Sequence, residues 1–343
     1  MREALLYEKL SCSRVKCNVC QRRCEISPGK YGVCRMRQNF DGILYTLNYA
    51  LVSSAAIDPI EKKPLFHFHP GTSVYSLGTW GCNFHCTGCQ NWQIACTDVS
   101  SLDGSRSISP QQAVDSALRS GSSGIAWTYN EPAVWFEYTL DSAMLAKEKG
   151  LYTVYVTNGY MTEEALDMIG PYLGAYRVDI KGFSDRLYKE LARISGWHGI
   201  LDVAKRARHK WGMHVEVVTN ITPTMNDDDE QLKGIANWMR DNLGELTPWH
   251  ITRFYPQHRI ENIPPTPMSS LERAYDIGAK AGLRFIYMGN VPGNPHENTK
   301  CYSCGSLLIS RIGYNTKIIS LDKSKCRKCG AEVNVRVGEV CDV

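Results

Sequence analysis

The densest chemistry in the chain lies in "GTWGCNFHCTGCQNWQIAC", residues 78–96, where Cys82, Cys86 and Cys89 follow a Cys-x3-Cys-x2-Cys spacing and Cys96 comes shortly after. Thiolates select soft metals: zinc, Cu(I) or iron–sulfur clusters. The residues alone leave two readings open. With Cys96 as a fourth ligand the set would close a structural zinc site, whereas three ligands would leave a metal centre one position short. Gly81 and Gly88 let a short loop wrap a bulky group.

Two further sets flank this one. "CYSCG" and "CRKCG" place Cys301, Cys304, Cys326 and Cys329 in two Cys-x2-Cys pairs, each followed by glycine, which is zinc-ribbon spacing. The stretches "SLLISRIGYN" and "AEVNVRV" alternate like strands, as a ribbon needs. A structural or protein-docking ribbon is expected in preference to a nucleic-acid one. Near the start, "CNVCQRRCEISPGKYGVCRMR" carries Cys17, Cys20, Cys24 and Cys34, suited to zinc or to an auxiliary iron–sulfur cluster. It does not match the Cys-x2-Cys-x2-Cys-x3-Cys-Pro ferredoxin run. Residues 1 to about 45 are rich in Cys, Arg and Gly and are not expected to fold alone.

Of fourteen cysteines among 343 residues, all but Cys12 and Cys341 fall in three clusters of four, which read as metal ligands rather than a disulfide framework. The opening "MREALLYEKLSC" lacks an apolar region behind a basic head, and no stretch approaches the roughly 18 apolar residues of a membrane helix. A cytoplasmic protein with no membrane partner is expected. The formal charge of +4 is too small to name a nucleic-acid or acidic partner.

The elements that must position these residues alternate. Strand-like runs are "SVYSLGTW", "GIAWTYN", "LYTVYVTN", "AYRVDIKG", "HVEVVTNI", "WHITRFYP" and "LRFIYMGN". Helical spacing falls between them in "SPQQAVDSALRS", "PAVWFEYTLDSAMLAKEKG", "MTEEALDMIG", "SDRLYKELARI", "DDDEQLKGIANWMRDNLG" and "PMSSLERAYDIGAKAG". Several begin at Ser, Thr, Asp or Pro and end at Gly, as capped helices do. The alternation predicts an α/β fold of parallel strands with right-handed crossovers, as an open sheet or a full or partial barrel. In either, function lies beyond the C-terminal strand ends.

The cysteine motif just after the first strand of such a pattern resembles the radical S-adenosylmethionine (SAM) enzymes. In that superfamily three cysteines hold a [4Fe-4S] cluster whose fourth iron is open to SAM. "TYNEP", residues 128–132, resembles the superfamily's Gly-Gly-Glu-Pro segment, which binds the SAM amino group. Glu131 and Pro132 are kept, but Tyr129 and Asn130 replace the glycines. The same residues also suit a plain helix start, with proline at its first position and an acidic group on the dipole. "VDIKG" resembles the Asp-Leu-Lys segment of pyruvate formate-lyase activating enzymes and places Asp179 and Lys181 at the amino and carboxylate ends of SAM; a surface ion pair is the alternative. "RFYPQH" places His258 near SAM, or leaves it a loop histidine. Asn130, and Asn158 in "VTNGY", complete the implied SAM contacts. The Asp227, Asp228 and Asp229 run reads as a helix cap. The aromatic that usually precedes the third cysteine is replaced by Gly88.

Together with "DPIEKKPLFHFHPG" and "YMGNVPG", these blocks span most of residues 15–293 and resemble the family named the AmmeMemoRadiSam system radical SAM enzyme. The resemblance implies a partial (β/α)6-type TIM barrel over 71–298, with a Cys-rich metal-binding segment over 1–70 and a zinc ribbon over 299–343. It implies an oxidoreductase that uses a [4Fe-4S] cluster and SAM to generate a 5'-deoxyadenosyl radical, with zinc as a further cofactor. The implied partners are an electron donor such as ferredoxin or flavodoxin, a Memo-like protein with its companion, and a protein or RNA substrate. The alternatives are an activase that installs a glycyl radical in a partner protein, and a zinc-dependent binding protein without catalysis.

Overall fold

Seven runs of β-branched and aromatic residues build the scaffold, and their charged or glycine-rich ends become its loops. A computed structural model describes residues 1–337. The last positions of the ribbon segment, 338–343 with Cys341, lie outside the described residues. The chain divides into two compact units: one of residues 1–58, 74–176 and 188–213, the other of residues 59–73, 177–187 and 214 onward.

In the first unit, strands β1 (Ser73–Gly78), β2 (Gly124–Trp127) and β3 (Tyr152–Thr157) run parallel, with β2 in the middle. Gly124 is in register with both Val74 and Tyr152, so all three strands deliver their C-terminal ends to one edge. All four residues of β2 are buried, the uniform burial expected where helices cover a parallel sheet. Helix Pro110–Arg119 starts in a capping box: Gln112 N donates to Ser109 Oγ at 3.2 Å and Ser109 N donates to the Gln112 side chain at 2.8 Å. Helix Phe136–Glu148 carries Phe136, Tyr138 and Leu140 into the core. A further helix, His198–His209, was not expected from the sequence; Trp197 gives it no side-chain cap and Gly199 sits in its first turn.

The Cys-rich segment forms two small antiparallel sheets, Tyr7–Lys9 with Val15–Cys17 and Glu25–Ile26, and Arg2–Glu3 with Ile43–Thr46 and Arg37–Phe40. Its anchor is Arg37, whose Nη1 and Nη2 each donate to Glu137 at 2.8 Å, both side chains being almost fully buried.

Strand β4 (Ala175–Asp179) begins in the first unit and ends in the second. There β5 (His214–Ile221), β6 (Trp249–Arg253) and β7 (Ile286–Gly289) are again parallel, with Val217 beside Trp249 and Trp249 beside Ile286. Neither run of strands closes on itself, so the architecture is α/β with an open parallel sheet and no closed barrel. Asp228 accepts from Gln231 N at 3.0 Å and caps helix Asp229–Leu243, as the acidic run predicts. The ribbon strands Leu307–Ile312 and Asn315–Ile318 pair antiparallel, and Leu308, Ile309, Leu321 and Val333 share one buried cluster with Phe285 and Tyr287. No helix among the described residues is long and apolar enough to cross a membrane.

Most of the expected strands run two or three residues too far at the C-terminal end. In β2 the cause is explicit: Tyr129 has φ +71°, which ends the extended conformation.

Candidate active site

The exit of β1 turns sharply at Gly81. Its φ is +81°, and a Cβ there would lie 2.6 Å from both Cys34 O and Met36 Cγ, so only glycine fits. Cys82, Cys86 and Cys89 follow, all half-buried and none in a disulfide among the described residues. Their loop is pinned where Thr87 N donates to Leu191 O at 2.9 Å, and Phe84 N points at Cys82 Sγ at 3.4 Å. Burial pushes the Cys82 thiol well up, and the nearby charges of Glu131 and Cys86 push the same way. A cationic centre is what would keep such a thiol ionised.

Glu131 lies in the loop four residues beyond β2 and is almost fully buried. One carboxylate oxygen accepts from Ala133 N at 3.0 Å and the Thr157 hydroxyl at 2.8 Å; the other accepts from Asn158 N at 2.8 Å and the same hydroxyl at 3.0 Å. It thereby caps the short turn Pro132–Trp135, so the helix-start reading of "NEP" holds as well. Asn158 carries the chain of contacts onward. Its Nδ2 donates to Asn83 Oδ1 at 2.8 Å and lies 3.8 Å from Cys82 Sγ. Cys82, Asn83, Glu131 and Asn158 therefore form one connected cluster at the ends of β1, β2 and β3.

Asn130 is occupied by the loop itself. Its Nδ2 donates to Gly81 O at 2.6 Å and its Oδ1 accepts from Thr79 N at 3.2 Å, so it clamps the exit of β1. Tyr129, the other departure from the glycine pair, takes a glycine-like φ and lays its ring over Gly78, where a Cβ would sit 2.8 Å from Tyr129 Cδ2. Its hydroxyl donates to Asp58 at 2.9 Å. The glycine missing from one strand end is thus present on the neighbouring strand. Asn91 Nδ2 donates to Tyr129 O at 2.7 Å, and neither this contact nor the Tyr129–Asp58 bond had a sequence signal.

Asp179, Lys181 and His258 belong to the second unit. Asp179 pairs with Arg177 and, at 3.0 Å, with Lys181 Nζ. Burial raises its carboxyl, but the two cations outweigh that and hold it below the ordinary range. His258 sits in a turn closed by the Gln257 and Ile260 backbones, with φ +59°, and is depressed by partial burial and Arg259.

The ribbon set is drawn tight. Cys301 and Cys329 sulfurs are 3.6 Å apart, Cys304 and Cys326 sulfurs 3.7 Å, and all four lie within 4.8 Å of one another. Bonding to Ser306 lowers the Cys304 thiol to about 6. Among the described residues it is the one group compact enough for a single ion. Cys82, Cys86 and Cys89 do not form such a compact single-ion group. Trp80 Nε1 and Asn83 Nδ2, on either side of Cys82 in sequence, are buried donors without a partner among the described residues. A soft, partly desolvated donor set with unmatched N–H groups beside it fits a cluster with a polar ligand.

A family model described as the radical SAM superfamily matches residues 77–239. The chain is 42% identical over 337 residues to an uncharacterized protein of Methanocaldococcus jannaschii, covering 98% of this chain and 99% of that one. Over 180 residues it is 25% identical to a pyruvate formate-lyase-activating enzyme of Clostridium pasteurianum, spanning 50% of this chain and 72% of the relative. In fold it is similar to a radical SAM methyltransferase of Sphaerobacter thermophilus, with a TM-score of 0.50 and 15% identity over 70% of this chain and 71% of that one.

Proposed function

Because the chain belongs to the radical SAM superfamily and is a radical SAM enzyme, we propose that Cys82, Cys86 and Cys89 hold its [4Fe-4S] cluster and that Glu131 receives the amino group of SAM. When bound, the cluster, reduced by one electron from an external donor, would pass that electron into the sulfonium of SAM and break one carbon–sulfur bond to give methionine and a 5'-deoxyadenosyl radical, which would take a hydrogen atom from the substrate. The observation that carries this reading is the hydrogen-bonded path from Cys82 through Asn83 and Asn158 to Glu131. The Glu131 oxygens offer about four lone-pair sites. Ala133 N, Asn158 N and the Thr157 hydroxyl are among its donors, and a charged N–H is the donor a carboxylate bonds most strongly. Asn130 and Gly81 set the loop's course, Asn158 positions Glu131 against Cys82, and Phe84, nearly fully buried, helps exclude water.

Asp179 and Lys181 are assigned to the amino and carboxylate ends of SAM, and His258 to a contact near it. In the finer reading of the fold, 71–298 is a partial (β/α)6-type barrel, 1–70 a metal-binding segment and 299–343 a ribbon holding zinc. A ferredoxin or flavodoxin as electron donor, a cytoplasmic setting and a Memo-like partner belong to the same proposal.

A second reading, an activase acting on a protein partner, is favoured by the similarity to a pyruvate formate-lyase-activating enzyme. Anaerobic reconstitution tests both: about four irons at this site and release of 5'-deoxyadenosine on reduction, abolished in Cys86→Ala with the fold intact, are expected. Persistent release in that variant defeats the cluster assignment. A glycyl-radical spin-resonance signal in a co-expressed partner selects the activase.

A further inference from the structure

The side chain of Asn158 is buried just past the end of β3, and a backbone group fixes which way its amide points. Tyr160 N–H can only donate, and it lies 3.0 Å from one end of that amide, which is therefore the oxygen; the other end is the NH2. Two hydrogens sit on that nitrogen. One is directed to Asn83 Oδ1 at 2.8 Å, and Cys82 Sγ lies 3.8 Å from the same nitrogen. The backbone N–H of Asn158 is separate from these and goes to Glu131 at 2.8 Å. Both ends of the amide are thus engaged within the protein, and one residue touches the proposed cluster loop and the proposed SAM site at once.

Cys82 is met by N–H groups from two parts of the chain. Phe84 N, in the cysteine loop itself, lies 3.4 Å from the sulfur, whereas Asn158 reaches it from the end of β3, two strands away. Asn83 Oδ1 is also 3.8 Å from the sulfur, and an oxygen so placed repels a thiolate. Asn158 offsets that repulsion by occupying a lone pair of the oxygen and by setting its own N–H beside the sulfur. An N–H binds a sulfur more strongly as negative charge builds on it. Such a donor therefore favours the reduced state of an iron–sulfur centre over the oxidised one.

We propose that Asn158 is a positioning residue acting through Cys82: its amide donates to the thiolate and raises the reduction potential of the [4Fe-4S] cluster. The inference rests on the assignment of that cluster to Cys82, Cys86 and Cys89. Two variants test it in anaerobically reconstituted protein. Asn158→Leu removes the amide but keeps the backbone bond to Glu131, and Asn158→Asp keeps the acceptor for Tyr160 N while removing the NH2. Iron and sulfide are counted first, and the midpoint potential is then followed by electron spin resonance without SAM. At the wild type's midpoint, Asn158→Leu should lower the ratio of reduced to oxidised cluster about twofold to tenfold, the effect of one lost hydrogen bond. Asn158→Asp should lower it further, because it also adds a negative charge. Variants that hold about four irons at the wild-type potential overturn the proposal and leave the cluster assignment standing. A wild type whose iron content is unaltered by Cys86→Ala sinks both. Should neither variant retain iron, wild type with isotope-labelled nitrogen in its asparagine side chains decides. A coupling to that nitrogen in the pulsed spin-resonance spectrum of the reduced cluster supports the contact, and its absence overturns it.

Discussion

Glu131→Gln separates what the buried carboxylate does for the fold from what it does for a ligand. The substitution keeps shape and volume but replaces one oxygen by an NH2. If that NH2 sits at the first position it faces Ala133 N–H; if at the second, it faces Asn158 N–H. Thr157 bridges both oxygens and its hydroxyl can rotate to accept, so it adapts in either case. One buried backbone donor is left unpaired, at a cost of about 1–3 kcal/mol. Urea unfolding of the apo chain should show that loss. Ligand binding adds a second, separable effect, because a charge-assisted bond to an ammonium is worth about 1.5–3 kcal/mol. Titration of SAM into anaerobically reconstituted protein should therefore find binding weakened about tenfold to a hundredfold. Equal SAM affinity in wild type and variant refutes the amino-group assignment. A variant of undiminished stability refutes the hydrogen-bond arrangement around Glu131 itself.

Glu137→Ala should cost about 3–5 kcal/mol in urea unfolding, since it strands the Arg37 guanidinium in the core, and Arg37→Met with Glu137→Met should recover most of that; an additive double variant contradicts the coupling. Cys304→Ala should lower the melting temperature and release about one metal ion per chain, because a structural site contributes directly to folding; unchanged melting and metal content count against the ribbon site. Burial drives the His67 ring down to about 3, Glu216 only partly opposing it, so the folded chain stays neutral there while the unfolded chain takes a proton near 6.5. Stability should thus fall as pH drops from about 6.5 towards 3, with about 2 kcal/mol lost by pH 5 from this ring, and His67→Asn should flatten the slope; identical urea midpoints against pH for the two proteins exclude the effect.

What sequence could show, and what it could not, divides by range. Cys82, Cys86 and Cys89 follow a strand that alternation alone predicts, and Asn158 directly follows another; Glu131, four residues past its strand, was marked by the resemblance of its segment. The exchange between Gly78 and Tyr129 was invisible because the compensating glycine sits on a different strand, 51 residues earlier. Asn130 illustrates a different limit. Its place in the motif marked it as a ligand contact, and its amide also bonds Gly81 O and Thr79 N, contacts 49 and 51 residues away in sequence that no local pattern reveals. The buried network of the second unit was equally hidden. Glu216 takes hydrogen bonds from Phe66 N, His67 N, His214 and His250, partners scattered over most of the chain. Burial would raise that carboxyl, but the two histidines hold it well below its usual value.

The Cys-rich segment is too short to bury a core of its own, and the structure shows where the missing support comes from. Arg37 is held by Glu137, Arg23 by Glu164, and Gln21 N donates to Tyr160 O at 3.0 Å, so the segment rests on helix Phe136–Glu148 and on the β3 exit. Arg22 reaches Asn83 O and Arg193 O, which lie on the Cys82 loop and on the chain that pins it. Gly81 closes the circuit, with Cys34 O and Met36 filling the space its side chain would need. A disturbance at either set of cysteines is therefore a disturbance of the other's support, and the two sets form one mechanical unit whatever metals they hold.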